Sequence, residues 1–212
     1  MGSVSPDWLV HPRKALGALH FGMSAAQVDA LSATYGEVTT RMDDTISDDM
    51  LRDTLETFGD GLSAAEKQEL IAAYAEVAVD TDGMVTETRG EPGLVLRYQH
   101  DRLVEIMPAI GQRPLFIDGT DLFSLDGLQA LMLLERRNGG PGRYAGTEAA
   151  FDGLAISTDG FCVTDPAGVQ VLDGSDERFR HRTVMLRPAP YRPEDELDRY
   201  VTHRFLDQIG MR

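Results

Sequence analysis

The sequence predicts an α+β protein made of two helix-plus-antiparallel-hairpin units, with an acidic helical hairpin inserted in the first unit and a helix at the C-terminus. Three observations predict this class. A short amphipathic helical pattern recurs about one hundred residues along the chain, an alternating hairpin pattern follows each copy, and the acidic charge is concentrated in one stretch. We place the units at residues 1–112 and 113–212, and the insertion at about 37–92.

The first helix is predicted over residues 25–35. Ser24 and the glutamine three residues later have the spacing of a capping box, and Gly36 is a natural stop. Val28 and Leu31 fall on one face of this helix, which predicts that this face is buried.

A matching helix is predicted in the second half of the chain. Ser124 precedes the apolar positions Leu128 and Leu131, and Gly139 follows the run. The helices therefore predict an internal duplication that superimposes Ser24, Val28 and Leu31 on Ser124, Leu128 and Leu131. Two unrelated α+β units would give a similar pattern, and this alternative stays open.

A β-hairpin is predicted after each helix. The segment LVLRYQHDRLVEIM alternates in polarity and turns at His100 and Asp101. The segment FDGLAISTDGFCVTD alternates in the same way and turns at Asp159 and Gly160. Each half is thus expected to place a helix against antiparallel strands.

The insertion predicts two amphipathic helices, in the segments SDDMLRDTLETFGDG and SAAEKQELIAAYAEV. Ser63 and Glu66 form the capping box of the second helix, whose apolar stripe comprises Leu70, Tyr74 and Val77. That stripe is expected to point inward, leaving the acidic side chains in solvent.

Fourteen acidic and three basic residues lie between Asp43 and Glu91, a balance of −11 out of a net charge of −15. A dense face of one sign attracts an oppositely charged partner over a long range but does not separate the pKa values of a catalytic pair. The solubility that acidic proteins gain from their charge is the alternative explanation. The candidate partner-binding residues are Asp49, Asp53, Glu56, Glu66 and Glu69.

The C-terminal region predicts a strand around RHRTVMLRP, a proline-rich turn, and a last helix over about 194–209. Leu197, Val201, Phe205 and Ile209 recur at four-residue steps, which is typical of the buried face of a helix. This helix is expected to pack on the body of the fold.

Composition excludes several classes of function. No apolar stretch is long enough to span a membrane, and the net charge of −15 opposes binding to nucleic acid. The lone Cys162 has no partner for an internal disulfide, so we expect a cytoplasmic protein. Cys162 also lies in an apolar strand pattern, which favours a buried, unreactive thiol.

The sequence predicts no bound metal, no cofactor and no enzymatic activity. Asp80, Asp82 and Gly83 match part of a calcium-binding EF-hand loop, but Ala78 and Arg89 occupy the positions of essential ligands, so a turn is predicted there. No zinc-ligand spacing relates the five histidines, which are His11, His20, His100, His181 and His203.

One basic cluster, ERFRHR, would place Arg178, Arg180 and Arg182 on one face of an extended strand. Such a face suits a phosphate or a carboxylate. In so acidic a protein, pairing with its own Asp and Glu side chains is the favoured alternative.

The segments LGALHFGMSAAQVDALSATYG, LVLRYQHDRLVEI and IDGTDLFSLDGLQALMLLE together resemble the tandem helix-plus-sheet units of bacterial proteins related to the β-lactamase inhibitor protein and the SmpA/OmlA domain. The chain differs from the inhibitor family in its lone cysteine and its acidic insertion, and its contact residues cannot be carried over from that family.

The resemblance implies a binding module. Together with the charge asymmetry, it leads us to expect an immunity protein that binds a basic toxin domain and inhibits it by occlusion. An enzyme whose site is assembled from distant residues, and an adaptor or chaperone-like binding protein, are the alternatives.

Overall fold

A computed structural model describes residues 5–44, 53–54, 57, 61–63, 65–70, 82–91, 93–108, 113–192 and 197–207. The first half opens with a 3-10 turn at Pro6–Trp8 and a small sheet of strands β1 (Val10–His11), β2 (Ala15–Leu16) and β3 (Leu19–His20). Two short helices and four antiparallel strands follow: α1 (Ala25–Asp29), α2 (Ser32–Tyr35), β4 (Val38–Asp43), β5 (Met84–Arg89), β6 (Leu94–Gln99) and β7 (Arg102–Met107).

The second half follows a similar order, with a two-stranded sheet and a short helix added before its last two strands. It opens with strands β8 (Phe116–Ile117) and β9 (Thr120–Asp121), then a 3-10 turn at Leu122–Ser124 and helix α3 (Gly127–Asn138). The remaining elements are β10 (Gly142–Ala145), β11 (Glu148–Phe151), β12 (Ile156–Asp159), β13 (Cys162–Asp165), β14 (Gly168–Val171), α4 (Glu177–Arg180), β15 (Thr183–Leu186), a 3-10 turn at Leu197–Arg199, and β16 (Val201–His203).

Both halves contribute to one nine-stranded antiparallel sheet, in the order β16-β10-β11-β12-β15-β7-β6-β5-β4. Each half supplies a small sheet, a helical segment and a four-stranded meander, and β16 adds the ninth strand. The last strands of the two meanders meet where Leu186 lies opposite Ile106. We call this junction the seam. The α+β class is confirmed, and the predicted boundary at residue 112 lies outside the described residues.

Local signals place the first helical segment and the first hairpin correctly. The predicted Ser24 capping box is present, and Val28 is fully buried. His100 and Asp101 both have positive φ angles, 49° and 58°, as a two-residue turn between twisted strands requires. The sequence did not predict the break between α1 and α2.

The register of the predicted repeat is wrong by two residues. Asp126, not Ser124, caps α3, and its carboxylate accepts the backbone N–H of Gln129. Leu128 consequently faces solvent with 40% of its surface exposed, while Ala130 takes the fully buried place that Val28 has in the first half. The four-residue interval from cap to core is kept, because helical periodicity fixes it.

The second predicted hairpin is also wrong. Strand β12 pairs with β11 and β15, whereas β13 leaves the main sheet after Gly160 and pairs with β14. Gly160 has a φ of 79°, and its amide donates to the carbonyl of Thr147, which redirects the chain across the sheet. Cys162 is thereby carried into the core, where it is fully buried as predicted.

The insertion is shorter than predicted, because strands β4 and β5 at its two ends belong to the main sheet. Residues 53–54, 57 and 65–70 are helical, as expected, and Ser63 and Glu66 form their predicted capping box. Leu70, expected to point inward, has 36% of its surface exposed. The turn predicted at Asp82 and Gly83 leads directly into β5, whereas Tyr74, Val77 and Asp80 lie outside the described residues.

The predicted C-terminal helix is absent from residues 197–207. Val201 lies in strand β16, which pairs with β10 at the edge of the sheet, and 46% of its surface is exposed. The buried carboxylate of Glu135 fixes the segment after this strand, because it accepts the backbone N–H groups of Phe205 and Leu206. The strand predicted around RHRTVMLRP is β15.

The helices cover one face of the main sheet. Alternate residues of β6, β12 and β15 point into a core that they share with α1 and α3, and the residues between them on these three strands are only partly covered. On the neighbouring β7, Glu105 points to the same side but is buried. We call this second surface the open face; its side chains include Thr86, Val95, Arg97, Glu105, Ser157, Met185 and Arg187. In the described ranges, no helix is both long and apolar enough to span a membrane.

Candidate functional site

A cavity of about 330 Å³ lies on the open face at the seam. Strands from both halves and the segment around the last 3-10 turn converge on it, so its walls come from regions far apart in sequence. We call it the seam pocket; its lining residues are Arg97, Glu148, Ser157, Thr158, Met185, Arg187, Tyr191, Arg199 and Tyr200.

Arg187 occupies the centre of the seam pocket. Its Nε donates to Glu105 Oε2 at 2.8 Å, and its Nη1 donates to Ser157 Oγ at 2.8 Å. The guanidinium also lies over the ring of Tyr191, 4.8 Å from the ring centroid. Because three separate contacts fix its plane, Arg187 is held in one orientation before any ligand arrives.

The Glu105 carboxylate lies between Arg97 of the first half and Arg187 of the second half. The residue has only 7% of its surface exposed, and its other oxygen, Oε1, lies 3.8 Å from Nη1 of Arg97. Arg97 Nε lies 3.4 Å from the Asp44 carboxylate, and 42% of the Arg97 side chain remains exposed. Arg97 thus presents a positioned positive charge to solvent at the rim of the pocket.

Glu148 and Tyr200 line the opposite wall, and an arginine cluster outside the lining adjoins Tyr200. The Tyr200 hydroxyl donates to Glu148 Oε2 at 2.8 Å, and the Arg143 guanidinium lies over the Tyr200 ring, 4.7 Å from its centroid. Arg143 also makes two hydrogen bonds to Asp152, which Arg192 contacts as well. Burial raises the pKa of Asp152, but the hydrogen bonds from the two arginines outweigh it and the pKa is lowered, so this carboxylate stays ionised.

The arrangement is suited to binding. Its exposed groups are planar guanidinium donors and amphipathic tyrosine rings, the side chains that dominate the energy of protein interfaces. The Ser157 hydroxyl accepts a hydrogen bond from Arg187, and a guanidinium has five donors and no acceptor with which to act as a general base. Burial raises the pKa of the Cys162 thiol to about 12, which keeps it in its unreactive neutral form.

The predicted basic cluster does not form a strand face. Its first residues form helix α4, where Arg178 pairs with Asp176 at 2.7 Å. Arg182 stacks on Phe179, 4.0 Å from the ring centroid, and donates to the carbonyl oxygens of Phe123 and Phe179. The expected pairing with acidic residues thus holds for Arg178, whereas Arg182 is held by aromatic rings and carbonyls.

The predicted acidic residues and the seam pocket occupy different parts of the chain. Asp53, Glu66 and Glu69 are exposed on the helical residues of the insertion, and Asp49 and Glu56 lie outside the described residues. Hydrogen bonds from Ser63 lower the pKa of Glu66, as its capping role requires. Among the described residues, no three His, Cys, Asp or Glu side chains are grouped in a way that could hold a metal ion.

Sequence reasoning missed the seam pocket. The sequence feature that could have indicated it is a charged residue at an outward position of an otherwise apolar strand. Arg97 in LVLRYQ and Glu105 in RLVEIM are two such residues. That feature shows which face is open, but it does not show that Arg187, 82 residues beyond Glu105, completes the pair.

Comparison with known proteins gives no independent guide to the site. No family model matches the chain, no curated protein matches its sequence, and no solved structure matches its fold.

Proposed function

We propose that this protein is an immunity-type inhibitor, which binds a partner protein across the open face and blocks it by occlusion, with the seam pocket at the centre of the contact. The preorganised arginine and tyrosine cluster of the seam pocket carries this proposal. Side chains that are already ordered lose little conformational entropy on binding, so a larger part of their contact energy remains as affinity.

The open face is large enough for a specific protein contact. Nine strands spaced about 4.8 Å apart give a width of roughly 38 Å, and strands of three to six residues extend about 10–20 Å. The resulting area, on the order of 600 Å² before side-chain relief is added, approaches the roughly 800 Å² per partner that a standard interface buries.

The charge distribution favours a partner with a basic surface. Residues 44–82 contain eleven acidic and two basic residues, and Asp53, Glu66 and Glu69 present their carboxylates to solvent. This field accelerates the approach of a positively charged protein. The arginines of the seam pocket would then take an acidic or aromatic group of the same partner, so the two regions of opposite sign fix the orientation of the complex.

Site-directed cross-linking in the source cells tests the proposal. A photoreactive phenylalanine analogue replaces Met185 on the open face, and the control carries the analogue at Arg136, an exposed position of α3. We expect the probe at position 185 to capture a protein that the probe at position 136 does not. That protein should arrest growth when it is expressed alone and be harmless when this chain is co-expressed.

Matched arginine variants then test whether the seam pocket is responsible for binding the captured protein. Arg97→Ala removes a positive charge from the rim of the seam pocket, and Arg136→Ala removes the same charge from the helical side of the molecule. We expect Arg97→Ala to speed dissociation of the complex about tenfold or more, as for loss of an anchoring arginine, and Arg136→Ala to leave it unchanged. Equal capture at both probe positions, a harmless captured protein, or equal dissociation of the two variants would refute the proposal.

The acidic face has a separate kinetic signature. Neutralising the predicted residues as Asp49→Asn, Asp53→Asn and Glu56→Gln should slow association and flatten its dependence on salt, because exposed charges act mainly on the encounter. Stopped-flow association rates across a salt series measure this. Rates that coincide with those of the wild type would leave the acidic face without a role in steering.

A further inference from the structure

A second cavity, of about 660 Å³, lies against the small N-terminal sheet and shares no lining residue with the seam pocket. We call it the histidine pocket. Its volume is within the range of small-molecule sites in proteins. Its lining residues are His11, Arg13, Lys14, Ala15, Gly17, His20, Phe21 and Pro188.

Strand register explains why two histidines face this cavity. His11 lies opposite Ala15, and Ala15 lies opposite His20, so the three side chains form a row on one face of strands β1–β3. Val10, Leu16 and Leu19 form the matching row on the other face and are buried in the core. The histidines are therefore directed away from the core.

Ala15 separates the two histidines along this row. Two inter-strand spacings place their backbones about 10 Å apart, and Ala15 between them is itself covered, with 1% of its surface exposed. Phe21 and Pro188 add apolar surface to the same cavity. The result is an apolar base with polar side chains around it.

Arg13 is fixed in place at the edge of the cavity. Its φ of 63° is in the left-handed region, which few residues other than glycine adopt, and its Nε and Nη2 donate to the carbonyl oxygens of Gly153 and Asp152. These bonds attach the turn between β1 and β2 to the turn between β11 and β12. They leave Nη1 of Arg13 with its hydrogen atoms available.

The charges around this cavity are not neutralised by the protein. In the described part of the chain, neither Arg13 nor Lys14 forms an ion pair with a carboxylate, and no acidic residue lines the cavity. Arg41, Arg143 and Arg187, by contrast, each pair with a carboxylate. Two cations and two histidines around the apolar surface of Phe21 and Pro188 are unusual in a protein with a net charge of −15.

From this arrangement we infer that the histidine pocket binds a small organic phosphate, a phosphate ester of a planar and weakly polar group. A phosphate monoester carries a charge of about −1.5 to −2 at neutral pH and offers three acceptor oxygens. These match the N–H donors of Arg13, Lys14 and the two histidines better than the two oxygens of a carboxylate. The planar group would lie on Phe21 and Pro188. This site goes beyond the proposed inhibitor function and does not depend on it.

Titration of the whole protein with phenyl phosphate, followed by the histidine proton resonances, tests the inference. At about 0.15 M salt, which screens unspecific attraction, the resonances of His11 and His20 should shift to saturation with a Kd below about 1 mM. The resonance of His100, which lies in the turn between β6 and β7, should not move. Inorganic phosphate should bind about tenfold more weakly or worse, since it has no group to cover the apolar surface of Phe21 and Pro188.

Two exposed positions supply the variants. Lys14→Ala should weaken phenyl phosphate binding about tenfold, the usual effect of losing one charged hydrogen bond, while Arg136→Ala should leave it unchanged. The inference is overturned if the His11 and His20 shifts stay linear, if His100 shifts in parallel, or if Lys14→Ala binds as tightly as the wild type. Equal binding of inorganic phosphate would overturn the planar group as part of the ligand.

Discussion

Arg89 offers the sharpest test of how this fold tolerates charge in its core. Its side chain is fully buried on the core face of β5, and it donates to Glu87, which is 1% exposed, and to Asp29 at the end of α1. Burial alone lowers the pKa of Arg89, but the hydrogen bonds to Asp29 and Glu87 outweigh it and raise the pKa, so the guanidinium remains charged. Glu87 is in turn contacted by Arg41.

Removing either buried partner should be far worse than removing both. Arg89→Met leaves the Glu87 carboxylate buried with only the half-exposed Arg41, and loss of one partner from a buried pair costs about 3–5 kcal/mol. Glu87→Leu should cost a similar amount, because it strips the buried guanidinium of two hydrogen bonds. In the double variant no buried charge remains on β5, and hydrophobic replacement of a whole buried pair is often close to neutral.

Urea unfolding monitored through Trp8, the single tryptophan, measures these free energies. Trp8 is buried and packs edge-on against Tyr35, so its fluorescence follows the core next to α2. We expect the double variant to be at least about 3 kcal/mol more stable than the sum of the single losses predicts. Arg97→Met, on the open face of the neighbouring strand, is the matched control and should cost less than about 1 kcal/mol, because Arg97 is exposed.

The reasoning is wrong if the losses of the two single variants simply add, since that would show no coupling between the charges. It is equally wrong if Arg97→Met destabilises as much as Arg89→Met, because burial would then not be the reason for the cost.

Two further predictions concern other buried groups. Glu135→Gln should destabilise the fold by about 1–3 kcal/mol. It should also speed hydrogen exchange at the amides of Phe205 and Leu206, because both donate hydrogen bonds to the Glu135 carboxylate. Unchanged exchange would show that Glu135 does not hold this segment. For Cys162, the raised pKa of about 12 predicts that an aromatic disulfide reagent at pH 8 reacts at least about a hundredfold more slowly with the native protein than with the urea-unfolded chain. The thiol ionises near pH 8.5 in the unfolded chain but only near pH 12 in the folded protein. The contribution of the neutral thiol to the free energy of unfolding is therefore complete below pH 8.5 and is lost between about pH 8.5 and 12. Urea midpoints measured across that range test this.

Features that depend on neighbours in sequence could be predicted. The Ser24 capping box and the turn at His100 and Asp101 are fixed by four or fewer consecutive residues, and both are present. The cap of α3 was missed because two candidate residues, Ser124 and Asp126, precede it. Ser124 instead bonds to the carbonyl of Asp121 within a 3-10 turn, which frees Asp126 to cap the helix.

Features that depend on distant residues could not be predicted. The four-residue spacing of Val201 and Phe205 is helical in isolation, but pairing with β10 places Val201 in a strand. Phe205 donates its backbone N–H to Glu135, which is 70 residues away in the sequence. Tertiary contacts of this kind override local propensity. The seam pocket has the same origin, because its central ion pair joins residues of different halves.

The seam pocket also has a structural role, and this governs how its variants must be interpreted. Only one residue pair, Leu186 opposite Ile106, is in register between β7 and β15, so the backbone ladder between the halves is short. Arg187 and Glu105 cross the same seam beside that pair, with their charged groups 2.8 Å apart. Replacing Arg187 would therefore weaken the junction of the two meanders as well as any partner contact, and loss of binding alone would not separate the two effects. Arg97 is the better probe, because its side chain is half exposed at the rim and its contact with Glu105 is long, 3.8 Å, so its removal leaves the pair between Arg187 and Glu105 intact.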